Sequence, residues 1–459
     1  MPAPRRPVDR PRHGLVERAL DSPQPVNLAK LTSRGVLLLG AAVFAALVVT
    51  QALTALVIAF VGNAQDFGSY WIAASRTAAG GTPYDWLAVD RPIAGDETEH
   101  VYPPLLAVLL MPLTGWLDYP AARLLWLLFS VLCLGVGLAL SWRLSGLRAS
   151  RHGGYAALAA LALLPSVSIT LAVGQLSCQL LLLLAGIFAL RRARRWAAAG
   201  AVLGFSIYLK VFPAIVGGYL LLRREWRAAV GAAVTGAALV GFTVLAIGWE
   251  PHWTYLTRVL PAQSRLFGLP QNVSLTGFVT HTAIANAYTT PVVAADLAGR
   301  ALVALASLAL LAAAGYAVWR GRSREGADAP AYALTVVTAL LITPATGFYN
   351  LVVAALPLGV AISRAAGGRP ARAALLVAAI VLLGLPTDLC ELLPVRVWCF
   401  DYWVAQGLPT AALPWRVGWG NLLMAGPFYG LLLLWGLLWR LCLSERASEA
   451  EQPEPVGTH

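Results

Sequence analysis

The sequence predicts an all-α polytopic membrane protein, and three observations carry that prediction. Of its 459 residues, 58% are hydrophobic and only 12% are charged, and the mean hydropathy of +0.69 lies far above that of soluble domains. Apolar blocks such as residues 35–62 are long enough to cross a hydrocarbon core of roughly 30 Å, which needs about 20 helical residues. The alternating pattern of a β-barrel does not occur, which leaves helices as the spanning elements.

The basic clusters predict the threading, because positively charged loops stay in the cytoplasm. Each interval between two clusters then crosses the membrane an even number of times, and both termini lie inside. The clusters are the N-terminal tail, 142–154, 191–195, 223–227, 320–325, 363–372 and the C-terminal "WRLCLSER". The chain is thus expected to have polar cytoplasmic tails at 1–32 and 443–459 and one transmembrane domain at 33–442.

The elements follow in order from this threading, and about twelve helices or half-helices are expected. The first outer loop, 63–118, should carry an amphipathic helix starting near Asp66 and an interfacial "VYPPLLAVLLMPL" helix. The other outer loops are 249–296 and 390–419. The predicted spans are 33–62, 119–142, a pair within 154–190 divided at "VGQLSCQ", 228–248, 297–319, a hairpin turning at 343–350, 373–389 and 420–441.

The interval 196–222 is too short for two full spans, although basic clusters flank it on both sides. Two half-helices meeting near Lys210 and Pro213 satisfy both clusters, since proline interrupts a helix. Lys210 then lies at the outer tip of this short hairpin.

Polar positions converge on the outer face in this threading, whereas the inner face carries mainly basic loops. They are Asp66, Tyr84, Tyr102, Gln175, Lys210, Asn272, Ser274, Tyr349 and Asn350.

Asp66 has two interpretations. Aspartate is favoured at helix N-caps, and "DFGSYWIAASRTAA" places Phe67, Tyr70, Trp71 and Ala74 on one helical face. A single carboxylate at the lip of an outer cavity also suits a general base acting on a hydroxyl group.

Lys210 has a weaker structural alternative. It could extend its charge to the interface, but apolar residues flank it on both sides. Almost all basic residues of the chain are arginines, and Lys30 is the other lysine. An ionisable residue in such a segment favours function, and a lipid phosphate is a suitable partner for a compact ammonium group.

The remaining polar positions are ambiguous. Gln175, Asn272 and Ser274 fit turn and cap chemistry as well as a binding site, and the tyrosines lie in "TPY", "YPP" and "TPATGFYN", which could simply end helices. In the last outer loop, Cys390 and Cys399 could form a disulfide.

Several classes of function are excluded or disfavoured. The charge of +12 is divided among loops, so no nucleic-acid partner is expected. Walker, GxGxxG, HExxH and GxSxG motifs are absent, as is any metal-ligand spacing. We therefore expect no cofactor and no metal, and a substrate that is delivered to the outer face.

With these residues in view, the sequence resembles glycosyltransferase family 87 of the GT-C superfamily, from about residue 35 to 440. The marks are "DFGSYWIAASRTAAGGTPYDW", "VYPPLLAVLLMPL", "GQLSCQLLLLLAG", "AGAVLGFSIYLKVFPA" with "LLLRREW" after it, and "QNVSLTGF". One departure is the late outer hairpin, where many members have Ser-Pro followed by Trp and His, and this chain has "TPATGFYN".

The resemblance implies a GT-C fold, a site on the periplasmic face of a bacterial plasma membrane, and Asp66 as catalytic base. It implies transfer of one sugar, from a polyprenyl-phosphate donor to a hydroxyl of a lipid-linked or cell-wall glycan, with inversion. Lys210, helped by Arg265, would stabilise the leaving phosphate. Mannose is the expected sugar, and arabinofuranose is the alternative.

Two other classes stay open. In a transporter or flippase, Asp66 and Lys210 would bind a translocating solute, although the two halves of the sequence show no inverted repeat. A non-catalytic assembly scaffold would tolerate replacement of Asp66.

Overall fold

The computed structural model describes residues 39–53, 65–84, 100–366, 369–389 and 413–444. The chain divides after Phe44 into two compact units, and apart from the first residues of helix α1 the description below concerns the second unit, which begins at Ala45. Within the described residues no regular strand occurs, and the helices carry the fold. The predicted all-α polytopic architecture is confirmed.

The α-helices, in chain order, are α1 (Leu39–Leu53), α2 (Gln65–Ala78), α3 (Leu105–Leu110), α4 (Tyr119–Ser145), α5 (Ala149–Val173), α6 (Ser177–Arg192), α7 (Trp196–Leu209), α8 (Ala214–Leu222), α9 (Trp226–Ile247), α10 (Glu250–Thr254), α11 (Leu260–Ala262), α12 (Leu275–Ala283), α13 (Asp296–Gly321), α14 (Asp328–Ile342), α15 (Ala355–Ala365), α16 (Pro370–Leu383), α17 (Trp419–Leu423) and α18 (Gly426–Leu443). Short 3₁₀ segments are Met111–Gly115, Gln263–Gly268, Phe348–Ala354 and Pro414–Arg416, and Tyr255–Val259 is a π-helical turn.

Six helical segments in the described part of the chain are long and apolar enough to cross a membrane. They are α4, α5, α9, α13, α18 and the continuous segment Phe348–Ala365. Shorter apolar helices accompany them, namely α1, Leu105–Gly115, α7, α14 and α16. The protein is therefore a polytopic membrane protein with full-length and partial spans, as the sequence predicts.

Two breaks that the sequence predicts are found where expected. Helix α5 ends at Val173, and Gly174 caps it in the left-handed conformation with φ 76°. Helix α7 ends at Leu209, and Lys210 follows with extended backbone before α8 begins at Ala214. Both breaks leave polar side chains at helix ends, where they are available to a site.

Small residues allow helices α7 and α9 to pack closely. A Cβ atom on Gly200 would overlap the carbonyl oxygen of Ala228, and one on Gly204 would lie 2.5 Å from the carbonyl oxygen of Ala232. Such contacts between small residues are a common way for membrane helices to associate. The pair fixes α7, and therefore the position of Lys210 at its end.

We expect Gly200→Ala to destabilise the protein by about 1–3 kcal/mol, the usual cost of overpacking. The matched control is Gly236→Ala on α9, where a Cβ atom would meet nothing within 4 Å. That change should be neutral or stabilising by up to about 1 kcal/mol through helix propensity. Thermal unfolding of the detergent-solubilised variants measures both effects, and equal melting temperatures for the two would contradict the packing argument.

A buried ion cluster joins four helices at the end of α6 that lies away from Gln175. Arg191 donates from Nε to Glu225 at 2.6 Å and from Nη2 to Asp328 at 3.2 Å. Its guanidinium also lies 4.6 Å from the centroid of the Tyr219 ring. Since these groups come from α6, α8, the start of α9 and α14, the cluster fastens the helices that carry the polar residues at their opposite ends.

Candidate active site

Asp66 lies in the first turn of α2, which begins at Gln65, so it is inside the helix and not at its cap. The predicted apolar face of this helix is confirmed, because Phe67, Tyr70 and Trp71 are buried together with Ala74. Asp66 itself is partly buried. The helix therefore packs its aromatic face inward and carries one carboxylate at its start.

Gly174 holds α2 against the end of α5. A Cβ atom on Gly174 would lie 2.6 Å from the Cβ atom of Phe67, so a glycine is required both by this contact and by its positive φ. The Phe67 ring stacks on Trp126 with centroids 5.4 Å apart, and Trp126 Nε1 donates to the carbonyl oxygen of Gly174 at 2.8 Å. These contacts fix Asp66 beside the turn between α5 and α6.

Gln175 lies in that turn and is almost fully buried. Its Oε1 atom accepts from the Tyr102 hydroxyl at 2.9 Å, from the Leu176 backbone N–H at 3.0 Å and from the Tyr70 hydroxyl at 3.4 Å. Its side chain also lowers the pKa of the Asp66 carboxyl group, as a nearby hydrogen-bond donor does. Gln175 thus links α2, the segment before α3 and the α5–α6 turn.

Lys210 reaches the same region from the break between α7 and α8. Its Nζ donates to Asn350 Oδ1 at 3.1 Å, and Ser177 Oγ donates to that same oxygen at 3.1 Å. The ammonium also lies 5.5 Å from the centroid of the Tyr102 ring and 5.6 Å from that of Tyr349, within the range of cation–π attraction. Two rings and an amide oxygen therefore hold a partly exposed cation.

The Asp66 carboxylate and the Lys210 ammonium interact electrostatically. Burial raises the pKa of Asp66 to about 6, although the positive charge of Lys210 and the hydrogen bond from Gln175 both oppose that rise. At neutral pH the carboxylate is largely ionised, and its affinity for a proton is higher than that of an ordinary aspartate. This suits a proton acceptor that works near pH 7.

Asn272 and Ser274 position the loop that carries Tyr349 and Asn350. Asn272 Nδ2 and Ser274 Oγ donate to the carbonyl oxygen of Pro344 at 2.8 and 3.1 Å. The backbones pair as well, since the N–H of Val273 donates to the oxygen of Thr346 at 2.8 Å. Both side chains are buried, so their polar atoms stabilise the loop at 343–350.

Other predicted residues fall around this centre or outside the description. Tyr84 is buried, and its hydroxyl donates to the carbonyl oxygen of Tyr102 at 2.7 Å, which supports that residue. The backbone of Arg265 lies in the segment Gln263–Gly268, and its side chain is outside the described part of the structure. The same holds for the whole of Cys390 and Cys399.

Sequence reasoning did not identify Tyr70, His100 and Ser177 as site residues, and it placed Tyr70 only on the apolar face of its helix. His100 lies against the Tyr70, Tyr84 and Tyr102 rings, with centroids 5.8–6.2 Å away. Burial lowers the pKa of His100 to about 3, so it is neutral and acts in packing. A serine opening a helix and a tyrosine one turn after Asp66 are ordinary features, and only their tertiary contacts identify them.

The arrangement can accept a proton at Asp66 and hold an anion at Lys210. These groups lie on different elements and meet around Gln175, while Tyr102 contacts both Gln175 and the ammonium. In the described residues no group of three His, Cys, Asp or Glu side chains could hold a metal ion.

The chain matches the model of a known family. The profile of glycosyltransferase family 87 matches residues 100–344, slightly more than half of the chain. This range contains Tyr102, Gln175 and Lys210, and it leaves out Asp66 and Asn350.

Curated relatives are mycobacterial enzymes. A polyprenol-phosphate-mannose-dependent alpha-(1-2)-phosphatidylinositol mannoside mannosyltransferase of Mycobacterium tuberculosis is 32% identical over 180 residues, 36% of this chain and 41% of that enzyme. A polyprenol-phosphate-mannose-dependent alpha-(1-2)-phosphatidylinositol pentamannoside mannosyltransferase of the same species is 28% identical over 53% of this chain and 56% of that enzyme. One with the same description from Mycolicibacterium smegmatis is 26% identical over 44% and 48%. The matches span about half the length of these relatives. No solved structure matches the chain significantly.

Proposed function

We propose that this chain, which belongs to glycosyltransferase family 87, transfers mannose from a polyprenyl-phosphate-mannose donor to a hydroxyl group of a lipid-linked glycan. The observation that carries the proposal is that one carboxylate, Asp66, lies near enough to one ammonium, Lys210, for the positive charge to lower the pKa of the carboxyl group. The activities of the curated relatives support the choice of mannose over arabinofuranose, and of a phosphatidylinositol mannoside as the acceptor class.

The chemistry is a single displacement. The acceptor oxygen forms a bond to the anomeric carbon while the bond from that carbon to the phosphate oxygen breaks, and the phosphate leaves with the electron pair. Asp66 takes the hydroxyl proton as the acceptor attacks. Because the two oxygens lie on opposite faces of the sugar, the configuration inverts, and one carboxylate suffices.

Lys210 stabilises the departing phosphate monoester as its negative charge grows. A positive charge that is already in place costs no reorganisation during the reaction, and it acts more strongly where water is scarce. The tyrosine rings and Asn350 restrain the ammonium at the break between two half-helices. The apolar half-helices beside it suit the polyprenyl chain of a donor that arrives from the lipid.

We place the reaction on the outer face of the membrane. The basic loops at the opposite ends of α6–α9 support this orientation, since they favour the cytoplasm. The acceptor and the donor then meet where the polar helix ends converge.

The test uses purified full-length protein in liposomes with polyprenyl-phosphate-mannose and a phosphatidylinositol mannoside. We expect a product heavier by one hexose in mass spectrometry, with inverted anomeric configuration by NMR. A parallel reaction contains polyprenyl-phosphate-arabinose, and a pentose adduct there without hexose transfer would refute the choice of mannose. Movement of the labelled donor between leaflets with no adduct from either donor would assign the chain to the flippase class.

The pH profile of kcat/KM for mannosyl transfer should show an acid limb with a midpoint near pH 6. The reason is that the base must be ionised, and the pKa of Asp66 is raised to about 6 by burial. The rate should rise with pH through that midpoint and reach its plateau near pH 7. An acid limb near pH 4, the ordinary value for a carboxylate, would contradict the burial of the base.

A further inference from the structure

Hydrogen bonds to its carbonyl oxygen fix the orientation of the Gln175 side-chain amide. Its Oε1 atom accepts three hydrogen bonds, from the Tyr102 hydroxyl, the Tyr70 hydroxyl and the Leu176 backbone N–H. The hydroxyl groups could act as donors or acceptors, but the backbone N–H can only donate. The carbonyl oxygen of the amide must therefore face Leu176, which leaves the NH₂ group on the other side.

Asp66 adjoins the turn that carries Gln175, because its neighbour Phe67 lies against Gly174. The Gln175 side chain lowers the pKa of the Asp66 carboxyl group, which is the effect of a hydrogen-bond donor, so the NH₂ side of the amide is the one that serves Asp66. An ionised carboxylate can only accept hydrogen bonds. If the amide were flipped, its oxygen would face the Asp66 oxygens and its NH₂ group would face the Leu176 N–H. Both contacts would then be repulsive, so the observed orientation is strongly favoured.

The residues that orient the amide are themselves held in place. Tyr84 donates to the backbone oxygen of Tyr102 at 2.7 Å, and the Tyr70 ring meets the Tyr102 ring edge-on with centroids 5.0 Å apart. Gln175 is only 1% exposed. Little of its surface is open to a sugar, which disfavours the direct substrate contact that the sequence alone suggests.

We propose that Gln175 is a positioning residue whose amide, oriented by Leu176, Tyr102 and Tyr70, donates to one oxygen of Asp66 and leaves the other oxygen facing the acceptor hydroxyl. This inference rests on the proposed function, since it needs Asp66 to be the base. It replaces the expectation that Gln175 binds substrate. A base that is held in this way keeps a fixed direction toward the attacking oxygen, and directional control of this kind is worth about 10- to 100-fold in rate.

The decisive variant is Gln175→Glu, which has nearly the same shape but presents an oxygen to Asp66. Two carboxyl groups that share one site cannot both ionise easily, so the acid limb should move upward by about one pH unit or more. In Gln175→Ala the base loses its direction, and kcat should fall about 10- to 100-fold with the KM values for donor and acceptor unchanged. Tyr102→Phe removes one of the orienting donors and should give a smaller loss of kcat.

The matched control is Gln179→Glu, a buried glutamine on α6 whose Nε2 donates to Ser130 Oγ at 2.9 Å. It should leave the midpoint of the acid limb unchanged. Size-exclusion profiles and melting temperatures show whether each variant is folded, and Tyr102→Phe provides the test if Gln175→Ala does not fold.

The results separate two failures. If the Gln175 variants raise the acceptor KM 10-fold or more while the acid limb stays in place, Gln175 binds substrate and the positioning role is wrong. The same holds if the variants transfer sugar as wild type does. If Asp66→Asn transfers sugar as well as wild type, the proposed base itself is wrong, whatever the Gln175 variants do.

Discussion

Asp66→Asn should reduce mannosyl transfer by about 10²- to 10⁴-fold, the range over which a general base contributes. The asparagine amide has nearly the same shape as the carboxylate, but it cannot take the proton of the attacking hydroxyl. Since Gln175 still finds a carbonyl oxygen to which it can donate, the packing of α2 should survive. We therefore expect the loss in kcat, with donor binding retained.

The control for this substitution is Asp118→Asn, which changes an exposed carboxylate on the segment that follows α3. Asp118 caps α4 by accepting from the N–H of Ala121 at 2.9 Å, and asparagine caps helices equally well. Its transfer rate should equal that of wild type. Steady-state mannosyl transfer with matched protein amounts decides the matter, and equal activity of both variants would show that the base lies elsewhere.

Lys210→Ala is expected to lower kcat/KM for the donor by about 10²- to 10³-fold, as loss of one charge-stabilising group does in other enzymes. Two effects are combined in this number. The phosphate loses its cation, and the pKa of Asp66 rises above about 6 because the opposing positive charge is gone. The plateau rate above the acid limb of each protein, where Asp66 is ionised, isolates the loss at the phosphate.

The acid limb of Lys210→Ala should lie at higher pH than that of wild type, which tests the electrostatic link between the two residues separately. Arg258→Ala is the control, because Arg258 is an exposed cation on the π-helical turn that follows α10. That variant should keep both the donor KM and the acid limb of wild type. An unchanged donor dependence of Lys210→Ala on this plateau would refute the phosphate role.

Much of the backbone framework was predictable, because it follows from local chemistry. Gly174 and Pro213 are helix-ending residues inside apolar runs, so they predict the break after α5 and the break at Lys210. The inward face of α2 follows from the helical spacing of its aromatic residues. These features depend on neighbouring residues, and the structure confirms them.

The partners of the polar side chains were not predictable from one sequence. Tyr70 and Gln175 are 105 positions apart, and Lys210 and Asn350 are 140 apart. No local pattern indicates that one amide oxygen would accept from Tyr102 or that another would accept from Lys210. The side-chain roles of Asn272 and Ser274 became visible only when the loop at 343–350 was seen to pair with them.

Some arginines of the basic clusters have a structural role in addition to marking cytoplasmic loops. Arg191 and Arg223 were counted as cytoplasmic markers, yet both form ion pairs, with Glu225 and Asp328 as their partners. In the sequence alone, an arginine whose acidic partner is distant along the chain cannot be distinguished from an arginine exposed to solvent. The clusters predicted the orientation, and only the fold shows that part of their charge holds helices together.

The contact between Gly174 and Phe67 makes the position of Asp66 depend on helix packing rather than on the thickness of the bilayer. Because no side chain fits between α5 and α2, the carboxylate keeps its place relative to the helix ends when the bilayer becomes thinner or thicker. We therefore expect lipid composition to affect how readily a polyprenyl donor reaches the site more than it affects the position of Asp66 beside Gly174.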